Sequence, residues 1–375
     1  MGILRLILAL SVVAMHYGAI FGQKLVGGQI AVQSFYIISG FYMSLILNEK
    51  YVGANSSYSL FISNRFYRLY PIYWAVLIAT LIFMGVSAVA TGGEKMYAFK
   101  SYLNVVPSEA AYAFLILSNL LMFGQDAVMF MGINPESGAL FFTPDFALTD
   151  PQLHTYLFVP QAWTLGIELS FYLIAPFILR RGAGIVIVLM LLSIGSRLVT
   201  YYGFGFTNDP WTYRFFPSEL LFFLCGYLSY RLFVRLRKSA VPDWIPVSTL
   251  VLLLALTFSY QYIELHSDFD MPFKPKQIVY LLLIALSVPF LFRYFKSNKA
   301  DNHIGELSYP VYISHILVGI VCWNQPVAFL KTGWGIAGAT LLFSWMLNRF
   351  IADPVEKFRQ SRLKANDTVY DNSGN

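Results

Sequence analysis

Ten apolar stretches, most of them close to twenty residues long, constrain the fold of this chain more than any other feature. A helix of about twenty apolar residues crosses the hydrocarbon core of a bilayer and satisfies its backbone hydrogen bonds internally. The pattern predicts an all-α polytopic integral membrane protein with about ten transmembrane helices. The stretches fall near 3–21, 30–48, 71–90, 164–179, 184–202, 215–233, 245–263, 278–295, 309–327 and 333–352.

Composition and charge agree with a membrane protein. Hydrophobic residues make up 57% of the chain and charged residues 12%, about half the charged fraction of soluble domains. The net charge of +6 does not indicate nucleic-acid binding, because the basic residues cluster at the ends of apolar stretches. Cys225 and Cys322 give no disulfide framework or zinc-binding spacing, so we expect no metal and no bound cofactor.

The basic clusters predict the topology. Placing all of them in the cytoplasm satisfies the positive-inside rule with both termini inside, which requires an even number of crossings. Ten crossings then leave the short apolar segment 111–125 in a long outer loop, 91–162, where we expect it to be re-entrant; an eleventh span is the alternative. Residues 1–362 are predicted to form a single transmembrane domain, and residues 363–375 a short, polar, disordered cytoplasmic tail.

The first apolar stretch carries two ionisable side chains, Arg5 and His16. They are eleven residues apart, close to three helical turns, so both lie on one face and are separated by roughly 16 Å along the axis. An ionisable group near mid-bilayer is a functional-site hypothesis by default. The alternative is a structural histidine that hydrogen-bonds to a neighbouring helix.

Arg65 and Arg68 precede the stretch 71–90 and share one face of a helical turn. Two guanidinium groups on one face suit a phosphate, because each is a planar fork of donors. The alternative is that they only fix the topology. Two other candidates also have a structural explanation. The small residues Ser39 and Gly40 allow close helix contact, and a hydrogen bond inside the protein core explains His315.

Taken in order, these segments resemble the acyltransferase-3 family of bacterial membrane acyltransferases. No single segment is specific, but the ordered set covers nearly the whole chain. The family's late E-x-P motif is replaced here by Asp353-Pro354-Val355-Glu356, and Thr164 stands where serine is commoner. The matching residues are Arg5 with His16, Ser39-Gly40-Phe41, Arg65 with Arg68, Trp163-Thr164-Leu165 with Glu168 and Phe171-Tyr172, Arg214 to Pro217, and Leu307-Ser308-Tyr309 to His315.

The resemblance implies a multi-pass protein of the bacterial cytoplasmic (inner) membrane. It would move an acyl group, usually acetyl from cytoplasmic acetyl-CoA, to a hydroxyl of a surface or exported glycan. The acyl-CoA is a substrate, and any extracytoplasmic partner that is needed must come from another protein. The resemblance makes His16 the general base or acyl relay and Glu168 the residue that orients it. The remaining assignments are Arg5, Arg65 and Arg68 for acyl-CoA binding, and Ser39, Trp163, Arg214, Tyr309 and His315 as supporting residues.

A transporter, or a flippase for glycans or lipid-linked sugars, is the competing interpretation. Such a protein is also polytopic and basic on its cytoplasmic side. Transporters often contain paired halves with helices broken at matched positions, and the sequence shows no such pairing.

Overall fold

The computed structural model describes residues 1–20, 22–265 and 269–373, with side chains for all of these except residues 54 and 364–373. The helices are α1 Gly2–Tyr17, α2 Gly28–Glu49, α3 Tyr58–Ala90, α4 Ala98–Asn104, α5 Glu109–Leu121, α6 Trp163–Ile178, α7 Ala183–Leu198, α8 Phe216–Leu236, α9 Trp244–Ser259, α10 Pro275–Phe295, α11 Lys299–Glu306, α12 Ser308–Trp323, α13 Gly333–Leu347 and α14 Asp353–Ser373.

Each of the ten predicted stretches overlaps a helix, and the polytopic helical fold is confirmed. Seven helical segments in the described part of the chain are long and apolar enough to cross a membrane. Helices α1 and α6 have only 16 residues each, and α8 carries Glu219, Arg231 and Arg235. The count of ten and the position of the termini therefore stay predictions. The seven segments are Gly28–Glu49, Tyr58–Ala90, Ala183–Gly203, Trp244–Tyr262, Pro275–Phe295, Lys299–Trp323 and Gly333–Leu363.

Helix α1 ends earlier than the sequence predicts. The apolar pattern runs to residue 21, but the helix stops at Tyr17 because Gly18 has φ 98°, a left-handed conformation that is readily adopted by glycine. His16 therefore lies in the last turn of α1 and not near the middle of a longer helix.

The prediction of an entirely helical chain needs one correction, in the outer loop. Strands β1 Met131–Ile133 and β2 Leu140–Phe142 form a short antiparallel hairpin. Its turn begins at Asn134, whose side-chain oxygen accepts hydrogen bonds from the backbone N–H groups of Glu136 and Ser137. At the other end of the chain, the backbone of helix α14 is helical to Ser373. The disorder predicted for residues 363–375 stays a prediction, and residues 374–375 lie outside the described residues.

The chain forms two compact units. The first contains Met1–Ile72, Tyr172–Leu192 and Leu220–Asn375, and the second contains Tyr73–Phe171 and Ser193–Glu219. In the first unit, α1, α12 and α13 pack through a core that includes Val13, Val311 and Ile336.

In the second unit, Asn119 holds the short helix α5 in place. Its side-chain amide donates to the carbonyl of Tyr156 at 3.2 Å, and its side-chain oxygen accepts from the N–H of Phe158 at 2.8 Å. The polar residue that interrupts the apolar segment 111–125 is thus buried and satisfied inside the protein. With 13 residues, α5 is about 20 Å long, too short to cross a bilayer core of about 30 Å.

Candidate functional site

Two histidines from opposite ends of the sequence meet in the first unit. The ring of His16, in the last turn of α1, lies 5.1 Å from the ring of His315 on α12, centroid to centroid, at an interplanar angle of 42°. His16 is exposed and His315 is completely buried. The pair therefore offers one imidazole outside the protein core, backed by a second one inside it.

The hydrogen bonding of His315 fixes its tautomer. Its Nδ1 lies 2.6 Å from the carbonyl oxygen of Tyr312, one turn earlier on α12. A carbonyl only accepts, so Nδ1 carries the hydrogen and Nε2 carries the lone pair. Nε2 is buried and has no hydrogen-bond partner among the described residues. A core hydrogen bond therefore explains one ring nitrogen of His315, as the structural interpretation expects, but leaves the other unexplained.

Tyr17 closes this cluster, and sequence reasoning missed it. Its hydroxyl donates to the carbonyl of Ile316 at 3.1 Å, and its ring centroid lies 6.5 Å from that of His315. The contact ties the end of α1 to α12 and so keeps the two histidines side by side. Its position next to His16 was the only sequence signal, and adjacency alone does not place a side chain on a neighbouring helix.

The other end of α1 is anchored to α11. The carboxylate of Asp301 accepts from the N–H groups of Gly2 at 2.7 Å and Ile3 at 3.1 Å, which satisfies two of the donors that a helix N-terminus leaves open. Arg5, half-buried, lies one turn further along α1. Both residues lie in one continuous helix, so the ideal rise of about 1.5 Å per residue separates them by about 16 Å along its axis.

Arg65 and Arg68 lie on α3, which is longer than the predicted stretch 71–90 and includes both residues. Arg65 is buried, with 5% of its surface exposed, whereas Arg68 is exposed. The hydroxyl of Tyr309, at the start of α12, donates to the carbonyl of Leu69 at 2.7 Å. The predicted supporting residue Tyr309 is thus brought next to the predicted phosphate-binding pair.

Ser39 and Gly40 lie where α2 approaches α8. A Cβ added to Gly40 would be 1.9 Å from the carbonyl oxygen of Phe223, so no side chain fits at this position. The close helix contact expected from this small-residue pair is confirmed. Ser39 itself is buried, and its supporting role in the site stays a prediction.

Two predicted supporting residues meet in the second unit. The guanidinium of Arg214 lies 4.1 Å from the ring centroid of Trp163, a cation–π contact, and its Nε donates to Asp209 at 2.8 Å. Glu168, half-buried, follows Trp163 on α6 by five residues. Its predicted contact with His16 stays a prediction, because the two residues belong to different units.

Comparison with known proteins gives one decisive result. The family model Acyl_transf_3, described as an acyltransferase domain, matches residues 1–349. The chain belongs to this acyltransferase family. No curated protein and no solved structure matches it. With its series of apolar helices, the chain is a multi-pass membrane acyltransferase, and α14 lies beyond the matched residues.

The acyltransferase also contains a buried ion pair that sequence reasoning missed. Arg197 Nη2 and Glu219 Oε1 are 2.5 Å apart, and both side chains are buried almost completely. Arg197 also donates to the carbonyl of Thr212 at 2.7 Å. A single arginine inside the apolar stretch 184–202 was a usable signal, because charges in such stretches nearly always have a partner.

Proposed function

We propose that this membrane acyltransferase moves an acyl group, acetyl in the simplest case, from cytoplasmic acyl-CoA to a hydroxyl of an exported glycan across the bacterial cytoplasmic membrane. The observation that carries the proposal is the imidazole pair His16 and His315, in which the inner ring has a hydrogen-bonded Nδ1 and an open Nε2. Within a family of acyltransferases, a base of this kind is what a hydroxyl acceptor requires.

The chemistry follows from an accessible imidazole, His16, that is backed by the buried ring of His315. His16 removes the proton from the acceptor hydroxyl while the hydroxyl oxygen attacks the thioester carbonyl. A carbon–oxygen bond forms, the carbon–sulfur bond breaks, and the imidazolium returns the proton to the departing thiolate. The open Nε2 of His315 supports this cycle, because it can accept a hydrogen bond from the protonated neighbouring ring and so stabilise it.

The donor is held by cations at the cytoplasmic end of the first unit. Arg65 and Arg68 bind phosphate groups of coenzyme A, and Arg5 contributes from α1. The separation of about 16 Å between Arg5 and His16 is similar to the reach of the phosphopantetheine arm. A donor held by its phosphates would therefore present its thioester to His16.

The remaining predicted residues are assigned to acceptor binding and support. For Glu168 the proposal keeps the role that the family resemblance implies, that of the third member of a catalytic triad. Trp163 and Arg214 form a supporting contact on the side of the outer loop, where we place the glycan acceptor. Any extracytoplasmic partner would act on the same side.

The test replaces the two histidines separately. His16→Ala should reduce ester formation to background, and His315→Asn should reduce it by about a hundredfold, the usual contribution of a general base or its proton relay. An Asn side chain at 315 can still donate to the Tyr312 carbonyl but has no counterpart of Nε2. His303→Asn is the control, because His303 is exposed on α11. The readout is ester-linked acetyl on glycans of cells with wild-type, variant and deleted genes, measured by mass spectrometry, with membrane insertion checked for each variant.

The outcomes separate the proposal from the transporter interpretation. Loss of ester in the deletion and in His16→Ala, but not in His303→Asn, supports the proposal. Loss in the deletion alone would make His16 structural and contradict the catalytic assignment. A deletion that changes glycan export but no ester would favour a flippase without acyl-transfer chemistry.

A further inference from the structure

Helix α14 packs against the start of α3, although it lies outside the residues that match the family. Arg362 donates to the side-chain oxygens of Asn64 at 3.1 Å and Ser63 at 2.9 Å, and its guanidinium lies 5.2 Å from the ring centroid of Tyr67. These contacts fix the register of α14 against the helical turn that contains Arg65. Arg362 is thus a positioning residue.

One turn before Arg362, α14 buries a second arginine beside Arg65 and Arg68. Arg359 has 7% of its surface exposed and Arg65 has 5%. Arg359 experiences electrostatic repulsion from both Arg65 and Arg68. In each of the two buried arginines, Nε has no hydrogen-bond partner in the described part of the chain.

Positive charge exceeds negative charge in this cluster. Glu356 forms an ion pair with Arg359, and Lys50 also interacts electrostatically with Glu356, Arg65 and Arg359. Among the residues whose side chains are described, one carboxylate therefore interacts with several cations. The cations are Lys50, Arg65, Arg68, Arg359 and Arg362.

Buried cations with open donors are costly unless an anion compensates them. Removing an ionised group from water costs several kcal/mol after relaxation, on the order of the whole stability of a protein domain, so such groups are paired in folded proteins. Planar guanidinium forks from two helices fit the oxygens of a phosphate group, which accepts several hydrogen bonds at once. A compact polyanion would satisfy the open Nε groups of Arg65 and Arg359 together.

We infer that α14 completes a phosphate-binding site with α3, in which Arg359 and Arg65 hold a phosphate of the acyl donor and Arg68 contributes from the exposed side. The inference rests on the proposed function for the identity of the donor, and it extends the binding site to residues beyond the family match. An anionic lipid headgroup carries the same phosphate chemistry, so the experiment includes both sources.

The test measures binding of coenzyme A to the purified full-length protein in nanodiscs of zwitterionic lipid. Arg359→Gln should weaken binding by about tenfold or more, the usual effect of losing a hydrogen bond between charged groups. Pantetheine has the same thiol arm without the nucleotide phosphates. Its affinity, measured by displacement of labelled acetyl-CoA and corrected for the affinity of that donor, should be the same in wild type and Arg359→Gln. Lys357→Gln is the matched control, because it removes one positive charge from an exposed position of the same helix.

Arg359→Lys keeps the charge and the ion pair with Glu356 but loses the planar fork, and should bind coenzyme A several-fold more weakly. This variant is also a control for misfolding of Arg359→Gln. The unfolding midpoint of each variant, measured without ligand, is the second control. Equal coenzyme A binding by Arg359→Gln and Lys357→Gln would overturn the inference. So would an equal loss of pantetheine binding, which would indicate a general structural defect.

Two further outcomes separate this inference from its premise. If the wild type binds no coenzyme A at all, the donor in the proposed function is wrong and the inference fails with it. If anionic lipid in the nanodiscs displaces coenzyme A from the wild type but not from Arg359→Gln, the site is a headgroup site and the inference is overturned while acyl transfer stands. Normal coenzyme A binding by His16→Ala would show that the donor site and the base are independent.

Discussion

Asp126, in the outer loop of the second unit, is a partly buried carboxylate that should make the stability of the folded protein depend on pH. Its Oδ1 lies 2.8 Å from the position that a Cβ on Gly166 would occupy, so the carboxyl group packs against α6. Burial raises the pKa of Asp126 to about 6, although the backbone N–H groups of Asp126 and Ala127 lower it in part. Since the unfolded chain has a pKa near 3.8, the folded state binds more protons between pH 4 and 6.

Stability should therefore fall as the pH rises from about 4 through about 6. Over these two pH units the free energy of unfolding falls by at most about 3 kcal/mol. Asp126→Asn keeps an acceptor oxygen and has no charge to bury, so it should raise the unfolding midpoint at pH 7.5 and change it little at pH 4.5. Glu136→Gln, at an exposed turn, is the control. A midpoint difference between Asp126→Asn and wild type that does not change with pH would contradict the prediction.

At this scale the sequence indicates which residues are unusual but not which residues they meet. Arg5 and His16 are recognisable from spacing alone, because helical periodicity places them on one face. The neighbour of His16 is His315, 299 residues further on, and only the packing of α1 on α12 brings the rings together. Arg359 belongs to the basic cluster that follows the stretch 333–352, which the sequence analysis uses only to predict the topology. A basic run at a helix end has the same sequence whether it is solvated or buried.

Helices α2 and α8 approach each other closely at two glycines. A Cβ on Gly40 would lie 1.9 Å from the Phe223 carbonyl oxygen, and one on Gly226 would lie 2.1 Å from the Ile37 carbonyl oxygen. Both nearest atoms are backbone atoms, which cannot turn away as a side chain can. The two helices can therefore keep this separation only with glycine at both positions.

Gly40→Ala should destabilise the protein by about 1–3 kcal/mol or more, because the helices must move apart. Gly338→Ala on α13 is the control, since no described atom beyond its chain neighbours and its own helix backbone lies within 4 Å of its Cβ position. That variant should be neutral or more stable, because alanine is the better helix former by about 0.5–1 kcal/mol. The measurement is the thermal unfolding midpoint in detergent, and equal midpoints for the two variants would contradict the close approach of α2 and α8.

Helix positions could be predicted from hydropathy, whereas several helix ends and the small hairpin could not. Lipid-facing helices give a strong signal because about twenty consecutive residues share one solvent. The end of α1 depends on the conformation of a single residue, Gly18, and the hairpin 131–142 is set by a turn at Asn134 inside a loop. Such local determinants occupy too few residues to alter the hydropathy pattern.

For the molecule as a whole, the proposed function requires the arginine cluster and α14 to face the cytoplasm. Helix α3 has 33 residues and is about 50 Å long, well beyond a bilayer core of about 30 Å. Its first turns, with Arg65 and Arg68, must therefore project from the membrane or lie in its headgroup region. The positive-inside rule predicts that this end lies in the cytoplasm and that the other end, after Ala90, lies outside.

Reporter fusions test this orientation and the path of the outer loop together. Alkaline phosphatase, which is active only outside the cytoplasm, should be active when it is fused after Gly93 and inactive when it is fused after the last residue, where green fluorescent protein should fluoresce. A third fusion, after Glu136, should also be active, because α5 is too short to return the chain to the cytoplasm. Inactivity at Glu136 alone would show that segment 111–125 crosses the membrane. Phosphatase activity at the C-terminus would place α14 on the wrong side for a cytoplasmic donor, because Arg359 would then face a compartment without acyl-CoA.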